Sequence, residues 1–378
     1  MGAGLSVEPD DLTDATPWPP DDRTELRWAV DLSRWRPGQA ERTLLLSLLP
    51  ADDAAAVANV RGRPDRRRAL ASRLAQRRCV ADALEHEFSA VVLARTKGGK
   101  PFEASGAARP AGAENFNFNV SHDGQFVVLA SDPALLVGVD VNAPFELRAR
   151  NEAAGGFDGV RATFDAVLTE REWEAVEGAA DEAARIFAFR RAWSLKEAFV
   201  KARGDGLAFE LRRVEFAFCD PPHARAAAEA AADGDPLWAR VLIDGELQPD
   251  WRGESSVLPR GHVVSVVRTA VGAAQDAWGG LRRSFGRPEL PPAELRARLA
   301  ARRAFRAVAV RELLPAAHAR AYDRALEFDA TCPPNEWSEP ADAAAAAEPK
   351  PELPAWFNPA NAGNGTRLED DPMACVVT

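Results

Sequence analysis

One order of elements occurs twice in this chain, and it limits the fold more than any single motif. A helical stretch is followed by short strand-like segments, and then the pattern returns. In the first pass, Arg27 to Leu32 predicts a short opening strand. Gln39 to Leu48 predicts a helix, Pro50 interrupts, and a long helix runs from about Asp65 to Glu87. Ser89 to Arg95 predicts a strand, and Lys97 to Pro101 a turn. Phe116-Asn117-Phe118-Asn119-Val120 alternates apolar and polar residues with the period of a strand. Phe126 to Ser131 and Leu135 to Val141 are two more strands, separated by the turn pair Asp132-Pro133.

In the second pass, Thr169 to Glu177 predicts a helix with Thr169 as N-cap and Glu172 in capping-box spacing. A long helix, Asp181 to Arg203, stops at Gly204. Strands follow at Glu210 to Phe218, Ala239 to Ile243 and Val263 to Arg268. The two passes, about 26–134 and 135–270, predict a duplicated α+β unit of two pseudo-symmetric halves. Beyond it, 271–330 is expected to be an extension, helical from about Pro292 to Phe328.

Charge is unevenly placed. The net charge is −10, yet residues 1–25 and 331–378 each contribute −6, leaving +2 for 26–330. Both ends are poor in residues that could build a core, so both are expected to be disordered acidic tails. An anionic substrate would meet the middle of the chain. Four cysteines (Cys79, Cys219, Cys332, Cys375) are widely spaced without a CxxC pair. That excludes a zinc ribbon or disulfide scaffold and fits a reducing, cytosolic compartment. The longest early apolar run, Leu44 to Leu49, is far too short to cross a bilayer.

Only five of the 47 basic residues are lysines, and four of these fall at Lys97, Lys100, Lys196 and Lys201. Where a sequence otherwise uses arginine, a retained lysine marks places where a compact ammonium is wanted. A basic run between Arg61 and Arg78 is either the solvated face of the long helix or a docking surface for an anion or an acidic protein. No nucleic-acid motif accompanies it.

Four segments carry candidate chemistry. Arg95-Thr96-Lys97-Gly98-Gly99-Lys100 is a basic glycine turn, which suits a phosphate-rich ligand or is simply a surface hairpin; Walker spacing is absent. Asn119-Val120-Ser121-His122 delivers a hydroxyl and an imidazole to a strand end, although neighbours on a strand cannot readily form a hydrolase triad. Asp140 is a single acid in the apolar strand Val137 to Val141. It shares a face with Asn142, and it either binds a hard cation such as Mg²⁺ or pairs with a turn or an arginine. Glu197 and Lys201 are four apart on a helix, either as a surface pair or as working groups.

In combination these segments resemble a known family. Asn119 to Gly124, Val137 to Val141 and Trp193 to Leu207 are similar to the phosphopantetheinyl transferases of the surfactin-synthetase-activator type, and most of all to the aminoadipate-semialdehyde dehydrogenase branch. Further likeness lies at Arg27 to Ala29, Arg95 to Pro101, Asn115 to Asn119 and Gly206 to Leu211, so about 26–270 is covered.

The resemblance implies two α+β halves with the site at their junction. It also implies transfer of the 4′-phosphopantetheine arm of coenzyme A to a serine of an apo acyl or peptidyl carrier protein, with release of 3′,5′-ADP. Asp140 and Glu197 are then expected to hold Mg²⁺. Arg95, Thr96, Lys97, Gly98, Gly99, Lys100, Asn119, Val120, Ser121, His122, Glu197 and Lys201 are expected at coenzyme A. Glu197 is the expected base, Lys201 the cation at the transferring phosphoryl group, and His122 a phosphate contact.

Two departures stand out. Asn142 occupies a position where many members have a second carboxylate. Ala55 or Ala56 stands where the nearest branch has an arginine against coenzyme A, so that Arg61 or Arg63 would have to substitute.

The alternatives are a catalytically silent module binding coenzyme A or a carrier protein, and a hydrolase built on Ser121 and His122. No nucleic acid is expected, and a monomer is. Which carrier is served stays open: that of a fatty-acid synthase, a polyketide synthase, a peptide synthetase or an aminoadipate reductase. Gly2 lies in a myristoylation pattern, and Cys375 begins a CaaX-like C-terminus. Membrane association is expected only if those motifs are used.

Overall fold

The computed structural model describes residues 23–145, 155–218 and 237–331, apart from Pro288 and Arg302. The terminal lipidation motifs, the acidic tails, Lys350, Cys219, Cys332 and Cys375 lie outside the described residues.

The chain opens with strand β1 (Arg27–Asp31) and three helices: α1 (Gln39–Ser47), α2 (Ala51–Asn59) and α3 (Arg63–Leu84). Proline in its first turn starts α3, and Glu85 in a left-handed conformation ends it. A small hairpin follows, β2 (Leu93–Arg95) and β3 (Pro101–Glu103), and then β4 (Asn117–Asp123), β5 (Phe126–Asp132) and β6 (Leu135–Asn142).

The second half carries α4 (Gly156–Thr163), α5 (Glu170–Glu177) and α6 (Glu182–Arg203). The capping box of α5 forms as its spacing predicts: Thr169 Oγ1 accepts from Glu172 N, and Glu172 Oε2 accepts from Thr169 N. Asp181 caps α6, and Gly204, at φ 84°, ends it. Strands β7 (Val214–Phe218), β8 (Leu237–Ile243), β9 (Glu246–Leu258) and β10 (His262–Ala270) follow. The extension holds α7 (Gly280–Arg283), α8 (Pro292–Ala300), β11 (Arg306–Val308) and α9 (Ala319–Thr331).

Two sheets result, in the orders β11-β1-β5-β4 and β6-β10-β9-β8-β7. On one face of the first sheet Trp28, Val30, Phe118, Val120, Val127 and Leu129 pack against α3 through Leu70, Leu74 and Val80. On the other face Phe126, Val128 and Ala130 meet Val137, Val139, Val264 and Val266 of the second sheet. Helix α6 covers the far side of that second sheet through Leu195, Ala198 and Phe199. The layers therefore run helix, sheet, sheet, helix, with β4 and β6 adjacent at the seam.

That seam has no backbone ladder. Alternate side chains of β4 replace it. Asn117 Oδ1, Asn119 Oδ1, Ser121 Oγ and Asp123 Oδ2 accept from the N–H groups of Val137, Val139, Val141 and Ala143, at 3.1, 2.9, 3.4 and 2.9 Å. Both run at a step of two residues, because side chains on a strand alternate faces.

Three expectations are corrected, and three elements appear that the sequence pattern does not announce. The segment from Pro292 to Phe328 is not one helix: Arg306 to Val308 pairs in parallel with β1, and Pro315 separates the rest. Residues 210–213 form a turn rather than part of β7, and Phe88–Ala90 is a helical turn before β2. Strand β9 has no forerunner in the sequence reading, because its outer half, Glu246 to Asp250, is polar and partly exposed. Helices α2 and α4, rich in small residues, were likewise not foreseen.

Candidate active site

The site forms where β6, β4 and α6 converge. Helix α6 lies unusually close to β6: a Cβ on Gly138 would fall 2.1 Å from Ala198 O and 2.2 Å from Ala202 N. Glycine is needed there for space. Asp140 is two residues further along, on the same face of the strand, so its carboxylate meets the helix side that presents Glu197 and Lys201.

Lys201 Nζ lies 2.8 Å from Asp140 Oδ1 and 3.0 Å from Ser121 Oγ. Ser121 Oγ in turn donates to Asp140 Oδ1 at 3.1 Å. A carboxylate, a hydroxyl and an ammonium from three elements thus form one closed triangle. Glu197 sits one turn before Lys201, half-buried. Among the described residues its carboxylate has one hydrogen bond, from Trp193 Nε1 at 3.4 Å. Desolvation holds the Glu197 carboxyl above the usual range, Lys201 opposes this, and the neighbouring Asp140 adds to it.

The donor set can be tested against a metal. Among the described residues no three His, Cys, Asp or Glu side chains cluster to hold one. Two facing carboxylates remain, and one of them is poorly satisfied by the protein. That set fits a hard, octahedral cation which keeps waters and substrate oxygens, and does not fit zinc. Asn142 is a neutral amide and adds no charge, and its Oδ1 is taken up by Arg190 Nε at 3.1 Å.

His122 is half-buried at the end of β4. Desolvation, then the charges of Arg68 and Lys201, push its imidazole down to about 4, so it works as a neutral hydrogen-bonding group. The hydrolase alternative fails here. Ser121 already donates to Asp140, and His122 is the next residue on the strand, on its opposite face.

The basic turn differs from expectation. Lys97 is exposed at its tip, and Arg95 Nη1 donates to Gly99 O at 2.8 Å. Thr96, however, is buried and donates to Gly204 O at 3.0 Å. Gly98 packs on the protein's own backbone, since a Cβ there would lie 2.2 Å from Gly204 O. Lys100 is only 2% exposed and donates to Val137 O and Lys201 O. The side chains of Lys100 and Thr96 are thus bonded to carbonyls of the protein itself, and half-buried Gly98 packs against Gly204. The side chains of Asn119 and Val120 are likewise engaged: one bonds Val139, and the other lies in the core.

The basic run on α3 is corrected too. Arg67 is buried and donates to Trp35 O, and Arg77 is buried and donates to Phe88 O and Val91 O. Arg73 and Arg78 pair with Asp53 and Asp82. Arg68 donates to Gly124 O at 2.6 Å and pairs with Asp65. Its charge next to His122 makes Arg68 the member of the basic run that stands at the candidate site. Trp193 beside Glu197 is a site candidate that the sequence reading did not assign, and four-residue spacing on one helix was the available signal.

A family model described as 4′-phosphopantetheinyl transferase, N-terminal, matches residues 33–134. A second, described as the 4′-phosphopantetheinyl transferase superfamily, matches residues 136–267. The L-aminoadipate-semialdehyde dehydrogenase-phosphopantetheinyl transferases of Pongo abelii and Homo sapiens are each 32% identical over 250 residues, covering 64% of this chain and 74% of theirs.

The chain belongs to the 4′-phosphopantetheinyl transferase family.

A phosphopantetheinyl transferase from Thraustochytrium sp. is 36% identical over 193 residues, covering 50% of this chain and 64% of its own. The chain is thus a transferase enzyme of the α+β class, in a family that transfers phosphopantetheine to carrier proteins with coenzyme A as donor. Both family matches end before the extension that begins at about 271.

Proposed function

We propose that this transferase moves the 4′-phosphopantetheine arm of coenzyme A onto a serine of an apo carrier protein at the Asp140–Ser121–Lys201 triangle. The observation that carries this is the closed contact of Lys201 with Asp140 and Ser121, with Glu197 one helical turn away.

The serine hydroxyl attacks the β-phosphorus of the coenzyme A pyrophosphate. The bond from that phosphorus to the bridging oxygen breaks, and 3′,5′-ADP leaves with the electron pair. Glu197, made more basic by burial, accepts the hydroxyl proton directly or through water. Lys201 stabilises charge on the transferring phosphoryl group, and Asp140 and Ser121 hold its ammonium in place. His122 donates one N–H to a phosphate oxygen. Lys97 and Arg95, at the rim of the hairpin turn, attract the anionic donor.

Asp140 and Glu197 are the residues that would hold Mg²⁺. The bound ion supplies neutralisation of the pyrophosphate charge. The relatives from Pongo abelii and Homo sapiens are named for aminoadipate-semialdehyde dehydrogenase, which makes its carrier domain a first substrate to test. A cytosolic, monomeric enzyme is part of the same proposal. Incubation of an apo carrier domain with coenzyme A and Mg²⁺ should add the arm's mass to the carrier serine. The Asp140→Asn enzyme should add none. A holo-carrier formed equally by both would remove Asp140 from the site.

A further inference from the structure

Lys100 is the last residue of the hairpin turn, and its side chain is 2% exposed. Its Nζ lies 2.5 Å from Val137 O and 3.3 Å from Lys201 O. Val137 precedes Gly138 on β6, the strand that carries Asp140. Lys201 O belongs to the residue whose own ammonium binds Asp140. We propose that Lys100 is a positioning residue, fixing the distance between α6 and β6 and so the placement of Lys201 against Asp140. This rests on the proposed working roles of Lys201 and Asp140.

Three observations support it. First, Lys201 O lies in the last turn of α6, where carbonyls lack partners within the helix, and Lys100 supplies that partner. An amine at a helix C-terminus also meets a favourable dipole. Second, no carboxylate acts on Lys100. Burial alone pushes its amine down to about 7, and the neutral form still has two N–H groups for the two carbonyls. Third, the space is shaped for it. A Cβ on Gly204 would fall 3.3 Å from Lys100 Cδ and 3.4 Å from its Cβ, so glycine there leaves room for the lysine stem. An arginine would place a larger planar group where that room ends.

The inference separates Lys100 from the phosphate-binding role its sequence context suggests. A lysine that touched coenzyme A would govern its binding. A lysine that orients Lys201 governs turnover instead, because a displacement of about 1 Å in a catalytic group can lower a rate by about 10²-fold.

The test is steady-state transfer by full-length Lys100→Met, Lys201→Met and the double variant, with coenzyme A and carrier varied in turn. We expect Lys100→Met to lower kcat by about 10- to 100-fold while the KM for coenzyme A stays within about twofold. The double variant should be no slower than Lys201→Met alone, since both changes disable one group. A raised KM for coenzyme A with kcat preserved would show a ligand contact and overturn the proposal. So would losses that multiply in the double variant, or a normal kcat with only a lowered Tm. If Lys100→Met does not fold, Lys100→Gln keeps an N–H donor and is read by the same kcat and KM split. A normal kcat in Lys201→Met would instead remove Lys201 from the mechanism, a result distinct from any obtained with Lys100.

Discussion

Lys201 on α6 and Asp140 on β6 meet at 2.8 Å, and the contact exists because Gly138 lets the helix and strand approach. The ammonium serves two acceptors at once, Asp140 Oδ1 and Ser121 Oγ, in a space where its side chain is 13% exposed. Arginine carries the same charge on a longer, planar group with different donor geometry. Lys201→Arg should therefore lower kcat by at least about 10²-fold, as for loss of one preorganised donor. Transfer assays at saturating coenzyme A and carrier check this, and near-normal turnover would mean that charge alone matters.

Gly138→Ala tests the close approach itself. The added methyl cannot avoid Ala198 O or Ala202 N, which are backbone atoms of α6. The variant should lose about 3 kcal/mol or more of stability, at the upper end of overpacking costs, and most of its activity with it. Thermal unfolding followed by circular dichroism reads the loss, and an unchanged Tm would refute the packing.

Asn119→Ala tests the side-chain seam. It leaves the buried Val139 N–H without its acceptor, a cost of about 1–3 kcal/mol. The KM for coenzyme A should hold within about twofold, since the Asn119 side chain faces β6 rather than ligand. A selective rise in that KM would restore Asn119 to the binding site.

His262 gives the fold an acid limit. Its side chain is fully buried, with Nδ1 against Pro259 O and Nε2 accepting from Gln125 N at 3.4 Å. Desolvation pushes it down to about 4 from an ordinary 6.5, an effect the Pro259 contact only partly opposes. Above about pH 6.5 neither state binds the proton. Between about 6.5 and 4 the unfolded chain takes it up and the native one does not, so stability falls as pH falls, by about 3 kcal/mol in all. His122 is pushed down to about 4 as well, so His262→Gln should remove about half of that slope and leave the share of His122; a slope equal to wild type would exclude His262 as a source.

Much of this was legible in the sequence, because helix caps and strand alternation are local. The Thr169 capping box, the stop at Gly204 and the Asp140 strand all form where the pattern places them. Less legible was what each polar residue faces. Asn119 and Ser121 read as a ligand-binding strand end, yet together with Asn117 they stitch β4 to β6, a contact between segments about 20 residues apart.

The lysines show the same limit. A compact ammonium is used at each described position but the exposed Lys97. Lys196 is fully buried against Glu172 at 2.7 Å, Lys100 bonds two carbonyls, and Lys201 closes the active-site triangle. Composition marked these residues as special, but only packing separated the buried structural lysines from the one at the candidate site.

The most direct test of the central claim is the Glu197→Gln enzyme, assayed with coenzyme A, Mg²⁺ and an apo carrier domain. The change keeps size and the Trp193 contact but removes the proposed base and one of the two carboxylates proposed to hold Mg²⁺. Holo-carrier and released 3′,5′-ADP should appear in equal amounts with wild type and fall by at least about 10³-fold with the variant at an unchanged Tm. Wild-type rates of both products from Glu197→Gln would contradict the account.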